Sequence, residues 1–379
     1  MYLQSSKMAD SWSDSAPDTD DEGAALKQPT SAFFRRRAAS AAIEQYRRCC
    51  EAAGCVPIKY VERSATHAEL VMNDHGVGPQ GAAALAQSLE DNCTIVRLVL
   101  RGNDVGGAGA EHFARTLRDH KYIRAVDLSS NRLASHGCTA FAQLLAAEGC
   151  SVAELNLGNN LFLDMDSRAF CQALQVGLPL GAASSSSPCS FFGMQDNTGV
   201  LILKLAHNRF GDVSGERFGS MLAVNRVLQV LDLSYNCIRS RGGVALFAGL
   251  RGNTTLKQLL LAYNGVSDAG AKALADLLTE GCGLEEVDVQ GNNIHDTGLE
   301  ALAQAVQHAN CRLKKLDVSH NFFSQAALGK FLEALLSNTS LTQLSMNGIV
   351  FNKANLDLLQ RVLENRSANQ TGGPERKNE

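Results

Sequence analysis

Apolar positions along most of this chain follow two alternating rhythms. A short stretch with period two runs into an asparagine, and a longer stretch with period three to four fills the space before the next one. Residues 95–105 read IVRLVLRGNDV and residues 228–238 read LQVLDLSYNCI. The period-two part predicts a short strand with one buried face. The later spacing, as in Phe113 and Leu117 or Leu274, Leu277 and Leu278, predicts a helix. The asparagines stand at Asn103, Asn131, Asn160, Asn208, Asn236, Asn264, Asn292 and Asn321, with steps of 28, 29, 48, 28, 28, 28 and 29. So constant a period marks a repeat architecture.

Stepping outward by 28 lands on His75 and on Ile349, where Leu70, Met72 and Val77, and Leu341, Leu344 and Met346, keep the spacing without the asparagine. These are terminal, atypical units, giving ten repeats in all. The asparagine amide both donates and accepts, so it is expected to satisfy turn backbone groups locally. Glycine recurs six residues after it (Gly109, Gly137, Gly242, Gly270, Gly298), predicting a tight helix start and close packing of helix on sheet. One strand and one outer helix cannot bury their own apolar face. Stacked units can, and the predicted fold class is an α/β solenoid, a horseshoe with a parallel sheet on the concave face and helices on the convex face.

The unit L-x-x-L-x-L-x-x-N-x-L with its following helix resembles the ribonuclease-inhibitor-type leucine-rich repeats across residues 67–363. The N-terminal junction adds Tyr46-x-x-Cys49-Cys50, Gly54-Cys55-Val56-Pro57 and GVGPQG (76–81), and there the chain is similar to the cytosolic leucine-rich-repeat-containing protein 74 family. That likeness implies a non-enzymatic protein with relatives among ciliary proteins. More distantly the array resembles the Ran GTPase-activating protein, which implies a small GTPase as partner. The long acidic tail of that family is missing here, where the chain ends RSANQTGGPERKNE, and none of its functional residues is carried over.

Residues 76–81 also satisfy G-x-G-x-x-G after a short apolar run and before a helical pattern, the context of a dinucleotide fingerprint. The period explains them otherwise. Gly81 holds the register of Gly109 and Gly137, and Gly78 and Pro79 belong to the turn into the first outer helix. No cofactor is expected.

With 379 residues, 45% hydrophobic and 20% charged, and a net charge of -4, the composition is that of an ordinary soluble chain. Mild acidity argues against a nucleic-acid partner, which requires a concentrated basic face. No apolar run reaches the ~20 residues of a membrane span. The N-terminus shows no apolar signal region, so the eleven cysteines read as reduced thiols in a cytoplasmic protein. Cys49, Cys50 and Cys55 lack metal-ligand spacing, and no metal is expected.

Outside the array, residues 1–30 carry six acidic and two basic side chains and much serine, and are expected to be disordered, as is the tail 364–379. Residues 31–66 read as a helical cap, with Phe33, Phe34, Ile43 and Tyr46 available to cover the first repeat. Arg35-Arg36-Arg37 is a solvated helix face or a nuclear signal, so a nuclear location stays open. The long step between Asn160 and Asn208 predicts a loop at about 177–199, rich in Ser, Pro and Gly, whose Phe191 and Phe192 tuck back or anchor a partner.

Residues flanking the inner leucines of each strand should face the concave surface: Arg97 and Arg101, Asp127, Glu154 and Asn156, Lys204, Asp232, Glu286 and Asp288, and Asp317. Asp127, Asp232, Asp288 and Asp317 share one repeat position, which could suggest acid–base or metal chemistry. The wording L-D-L-S is itself a repeat feature, with the aspartate accepting hydrogen bonds from its neighbours, and no catalytic constellation is expected. Tyr235 and Tyr263, each just before its asparagine, are binding anchors or edge packing. The sequence thus predicts a non-enzymatic scaffold, monomeric or part of a larger assembly, binding a protein on its concave face and strand-end loops. A ciliary or cytoskeletal setting and a Ran-like small GTPase are the finer expectations.

Overall fold

The computed structural model describes residues 32–64, 67–147, 149–176 and 199–371. Two helices lead, α1 (Ala32–Ala53) and α2 (Lys59–Ser64). Strands and helices then alternate: β1 (Glu69–Val71), α3 (Gly78–Leu89), β2 (Arg97–Val99), α4 (Gly106–Asp119), β3 (Ala125–Asp127) and α5 (Ala134–Ala146). Next come β4 (Glu154–Asn156), α6 (Ser167–Val176), β5 (Ile202–Lys204), α7 (Asp212–Leu222), β6 (Val230–Asp232) and α8 (Ser240–Gly249). The last are β7 (Gln258–Leu260), α9 (Ser267–Glu280), β8 (Glu286–Asp288), α10 (Asp296–Gln307), β9 (Lys315–Asp317), α11 (Gln325–Ser337), β10 (Gln343–Ser345) and α12 (Lys353–Thr371).

All ten strands form one parallel sheet in chain order. The expected solenoid of ten units is therefore the fold. Leu155 of β4 pairs with Leu203 of β5 although the long step intervenes, so the extra residues leave the register intact. They depart at the turn from α6 into β5; residues 177–198, with Phe191 and Phe192, lie outside the described residues. So do residues 1–31 and 372–379, and with them the whole expected N-terminal tail and half of the C-terminal one. α12 continues to Thr371, because no proline or glycine interrupts the chain between residues 353 and 371.

Each repeat adds a layer to a continuous core. In the second, Ile95, Leu98, Leu100, Val105, Phe113 and Leu117 are all exposed by 3% or less. Burying each such side chain contributes about 1.5–3 kcal/mol. At the N-terminal end α1 packs against α3 and buries Tyr46, Cys49 and Cys50, and the Tyr46 hydroxyl accepts the Ile58 N–H at 3.2 Å. The recurrent glycines have ordinary negative φ. They serve both the helix start and helix contact: a methyl group on Gly109 would stand 2.7 Å from the Val105 side chain of its own turn and 2.8 Å from Ala82 of the previous helix, and one on Gly137 2.5 Å from Leu133 and 3.2 Å from Ala110. Packing of α7 on α8 is closest, with Gly249 facing the Gly219 backbone.

The asparagines do more than the sequence suggested, and they do it between repeats. Asn131 Oδ1 accepts the N–H of Asn103 at 2.9 Å and of Val105 at 3.2 Å, one repeat earlier. Its Nδ2 donates to the Leu100 carbonyl at 2.8 Å and to its own repeat's Ser129 carbonyl at 3.0 Å. Asn160, Asn208 and Asn321 repeat both halves of this pattern. At the N-terminal end Asn103 reaches back to the His75 N–H at 2.9 Å, so His75 closes the ladder without being able to extend it. Four buried backbone groups depend on each amide, which no aliphatic side chain can replace.

A second polar ladder lines the turns from helix to strand. Asn92, Asn225, Asn253 and Asn338 each accept amides that lead into the next strand. His120 takes this place in one repeat: its Nδ1 accepts the Tyr122 and Ile123 N–H groups at 3.2 and 3.1 Å. Its Nε2 points at the Leu89 and Asn92 carbonyls without forming a well-directed hydrogen bond. Burial lowers its pKa, and protonation would set an N–H against two amide N–H groups.

Two outcomes are expected. Asn131→Ala should cost about 3–5 kcal/mol in urea unfolding, because it strands several buried backbone groups. The unfolded chain binds a proton at His120 below about pH 6.5 while the native state resists it, so stability should fall as pH drops through that value. His120→Asn should flatten that part of the stability profile measured by thermal melts.

Candidate protein-binding face

A parallel sheet is normally covered on both faces. Here helices cover one. The central residue of β1 to β9 is buried toward the helices, while its two neighbours form columns running across the other face. The first column reads Glu69, Arg97, Ala125, Glu154, Ile202, Val230, Gln258, Glu286, Lys315, Gln343. The second reads Val71, Val99, Asp127, Asn156, Lys204, Asp232, Leu260, Asp288, Asp317, Ser345.

Apart from Arg101, Tyr235 and Tyr263, which lie beyond the strand ends, the predicted site residues fall on these columns, but they are not equally available. Asp127 is only 5% exposed, with one oxygen accepting the Ser129 N–H and the other Asn156 Nδ2, both at 2.8 Å. Asn156 Oδ1 in turn accepts the Gly158 N–H. Arg97 is half-buried beside Glu69 at 3.8 Å, and Arg101 is exposed at the strand end. Glu154 and Lys204 are half-buried in the middle of the array. Asp232, Asp288 and Asp317 each accept the amide two residues on, at 2.9, 2.9 and 2.8 Å, confirming the structural role expected of this position. Glu286 pairs with Lys315 at 3.2 Å.

Asp288 and Asp317 face each other directly across β8 and β9. Burial first, then the neighbouring Asp317, Asp232 and Glu286 charges, push the Asp288 carboxyl up to about 7, against the Gln290 amide that lowers it. Asp232, Asp317 and the part-protonated Asp288 therefore make this end of the concave face acidic, while Glu286 is matched by Lys315.

A third row, unforeseen as a unit, lies at the strand ends. The residue before each ladder asparagine has positive φ in eight repeats, as do its counterparts in the two terminal units: Asp74, Gly102, Ser130, Asn159, His207, Tyr235, Tyr263, Gly291, His320 and Gly348. Asp, Asn, His and Gly tolerate this left-handed conformation, but for a bulky residue it costs about 1–2 kcal/mol. Tyr235 and Tyr263 take it in succession, with φ of 53° and 51°. They remain 44% and 36% exposed, so ring burial alone does not explain them.

Their rings stack. His207 and Tyr235 lie 4.1 Å apart with planes 11° from parallel, and Tyr235 and Tyr263 4.6 Å apart at 23°. His320 continues the row 6.3 Å from Tyr263. Glycine leaves the space for this: a methyl group on Gly291 would stand 2.7 Å from the Tyr263 ring. Gln290 Nε2 donates to the Tyr263 hydroxyl at 3.1 Å. The Tyr235 pKa is raised, first by burial and then by Tyr263 and Asp288, which places its hydroxyl within the field of the concave carboxylates. The tyrosines pack on one another and leave an exposed edge. The signal for His207 and His320 was present, since both share the tyrosines' place one residue before the asparagine.

A family model described as Leucine Rich repeat matches residues 91–114, 224–247, 252–275 and 283–303. The chain carries leucine-rich repeats, folded as a solenoid. No curated protein matches it by sequence. Solved structures to which it is similar include the leiomodin-1 actin-binding site 2, at 21% identity over 35% of this chain and 77% of that one, with a TM-score of 0.31. The Rad7–Elc1 complex of yeast aligns at 11% over 83% of both chains, with a TM-score of 0.42. A TLR13–ssRNA13 complex aligns at 18% over 81% of this solenoid and only 37% of its own chain, with a TM-score of 0.44. These alignments transfer no partner or ligand.

Among the described residues no cluster of His, Cys, Asp or Glu fits a metal ion. No described helix is long and apolar enough to cross a membrane. At the opposite strand ends a cavity of about 410 Å³ is lined by Lys257, Cys282, Glu285, Cys311 and Lys314. Glu285 bridges its two lysines at 3.8 and 2.7 Å, so their charges are already matched.

The Asp288 carboxyl supplies a test of the concave electrostatics. The native state holds its proton up to about pH 7, whereas the unfolded chain releases it near 3.8, so this group lowers stability as pH rises between those values. Asp288→Asn should therefore raise the melting temperature at pH 8 and leave it nearly unchanged at pH 4.

Proposed function

We propose that this protein is a non-enzymatic scaffold that binds another protein on the concave sheet face and the adjoining strand-end turns. The sheet face that no described element covers carries the proposal. A rigid surface spanning ten strands presents two columns of mixed charge and a row of aromatics that no other described element covers. Such a surface steers encounter by charge and gains affinity from a few aromatic anchors. The junction residues 46–81 support a cytoplasmic protein with a ciliary or cytoskeletal partner, with a nuclear location open through Arg35-Arg36-Arg37.

The test compares two full-length variants in affinity purification with cross-linking. Glu154→Lys, Lys204→Glu and Glu286→Lys together reverse charges on the concave face. Lys272→Glu with Asp276→Lys reverses two exposed charges on α9. Partners captured by the parent chain should fall at least about tenfold with the first, a loss of ~1.4 kcal/mol, and persist with the second. Loss with the α9 variant alone would refute the concave assignment. A Ran-like GTPase hydrolysing GTP well above its intrinsic rate when mixed with the protein would replace the scaffold by a GTPase activator. Proximity labelling in ciliated cells tests the location, and an absence of axonemal neighbours would count against it.

A further inference from the structure

The aromatic row and the carboxylates beside it narrow the chemistry of the partner. Tyr235 and Tyr263 keep a left-handed backbone that asparagine or glycine would adopt with less strain, and they hold their ring edges in solvent. Inward of them, Leu260 lies between Asp232 and Asp288 in the second column, and Asp317 follows. Lys315 is engaged with Glu286, and among the described residues neither Asp288 nor Asp317 forms an ion pair. Lys204 stands at the far end of the same column, beside Asp232. An apolar spot, hydroxyl groups and negative charge thus lie in one strip.

A side chain that fits this strip has an apolar stem and a cationic, many-donor head. Arginine has both: its methylenes rest on apolar surface, and its planar guanidinium donates to carboxylate and hydroxyl oxygens together. Resting on the reading that the concave face binds protein, we propose that the row His207–Tyr235–Tyr263–His320, with Leu260, Asp288 and Asp317 beside it, receives an arginine from an extended segment of the partner. Stacked aromatics also suit single-stranded nucleic acid, but such sites pair them with a basic groove, and this one is acidic.

The probe is a fluorescein-labelled peptide of sequence GSRGRSG, titrated with the full-length protein and followed by anisotropy. Replacing its arginines by citrulline, which keeps the shape and removes the charge, should weaken binding about tenfold or more, and glutamate should abolish it. The double variant Tyr235→Asn/Tyr263→Asn should lose binding by a similar factor, as should Asp288→Asn/Asp317→Asn. Asparagine suits the left-handed backbone, so the tyrosine variant should melt within about 3 °C of the parent. The peptide comparison on the unaltered protein holds even if that variant folds poorly. No binding of the arginine peptide, equal binding of the citrulline peptide, full affinity in a folded tyrosine variant, or preference for an oligothymidine strand would each overturn the proposal. Concave-face loss of captured partners would survive any of these results, which separates this inference from the scaffold reading.

Discussion

The constraint on which the structure depends is the satisfaction of backbone groups where each short strand ends. Strands of three residues leave the turn without ladder partners, inside a core where an unpaired amide is costly. One asparagine per repeat answers this by reaching into the previous repeat, accepting two of its amides and donating to one of its carbonyls. Each repeat is therefore completed by the next. The first unit lacks the residue because no repeat precedes it to be completed, and it receives what it needs from Asn103.

The same ladder shapes the binding face. Bringing the asparagine under the previous strand turns the residue before it into the left-handed region in repeat after repeat. That creates a row of outward-pointing positions at fixed spacing, filled by small or turn-tolerant residues except where two tyrosines stand together. A structural requirement of the backbone thus supplies a register for surface side chains. Stacked rings at 4.1 and 4.6 Å follow from that register, and the glycine at 291 allows Tyr263 to lean toward His320.

Much of the fold was legible because each rule it obeys is local and repeated. The period of Leu98, Leu100 and Asn103 contains the strand, its buried face and its turn, and the helix follows from the spacing of Phe113 and Leu117. The dinucleotide-like glycines show the value of the period: Gly81 lies on the Val77 side chain at the place where Gly109 lies on Val105. Other features escaped because they join residues about 28 positions apart. His120 looks like a dispersed histidine until it stands in line with Asn92 and Asn253, and the four equivalent aspartates differ only once burial is known. Asp127 is enclosed by Ser129 and Asn156, while Asp288 faces Asp317.

By itself, then, the sequence determined the repeat, its number, the parallel sheet and the buried residues, since hydrophobic periodicity and turn chemistry act over a few residues. Only the tertiary structure decided that the asparagines bond across repeats, that helix glycines serve helix contact, and that two tyrosines and two histidines form one row beside an acidic strip. Those outcomes depend on the angle and spacing at which one repeat stacks on another. That geometry belongs to the assembled solenoid and to no single unit.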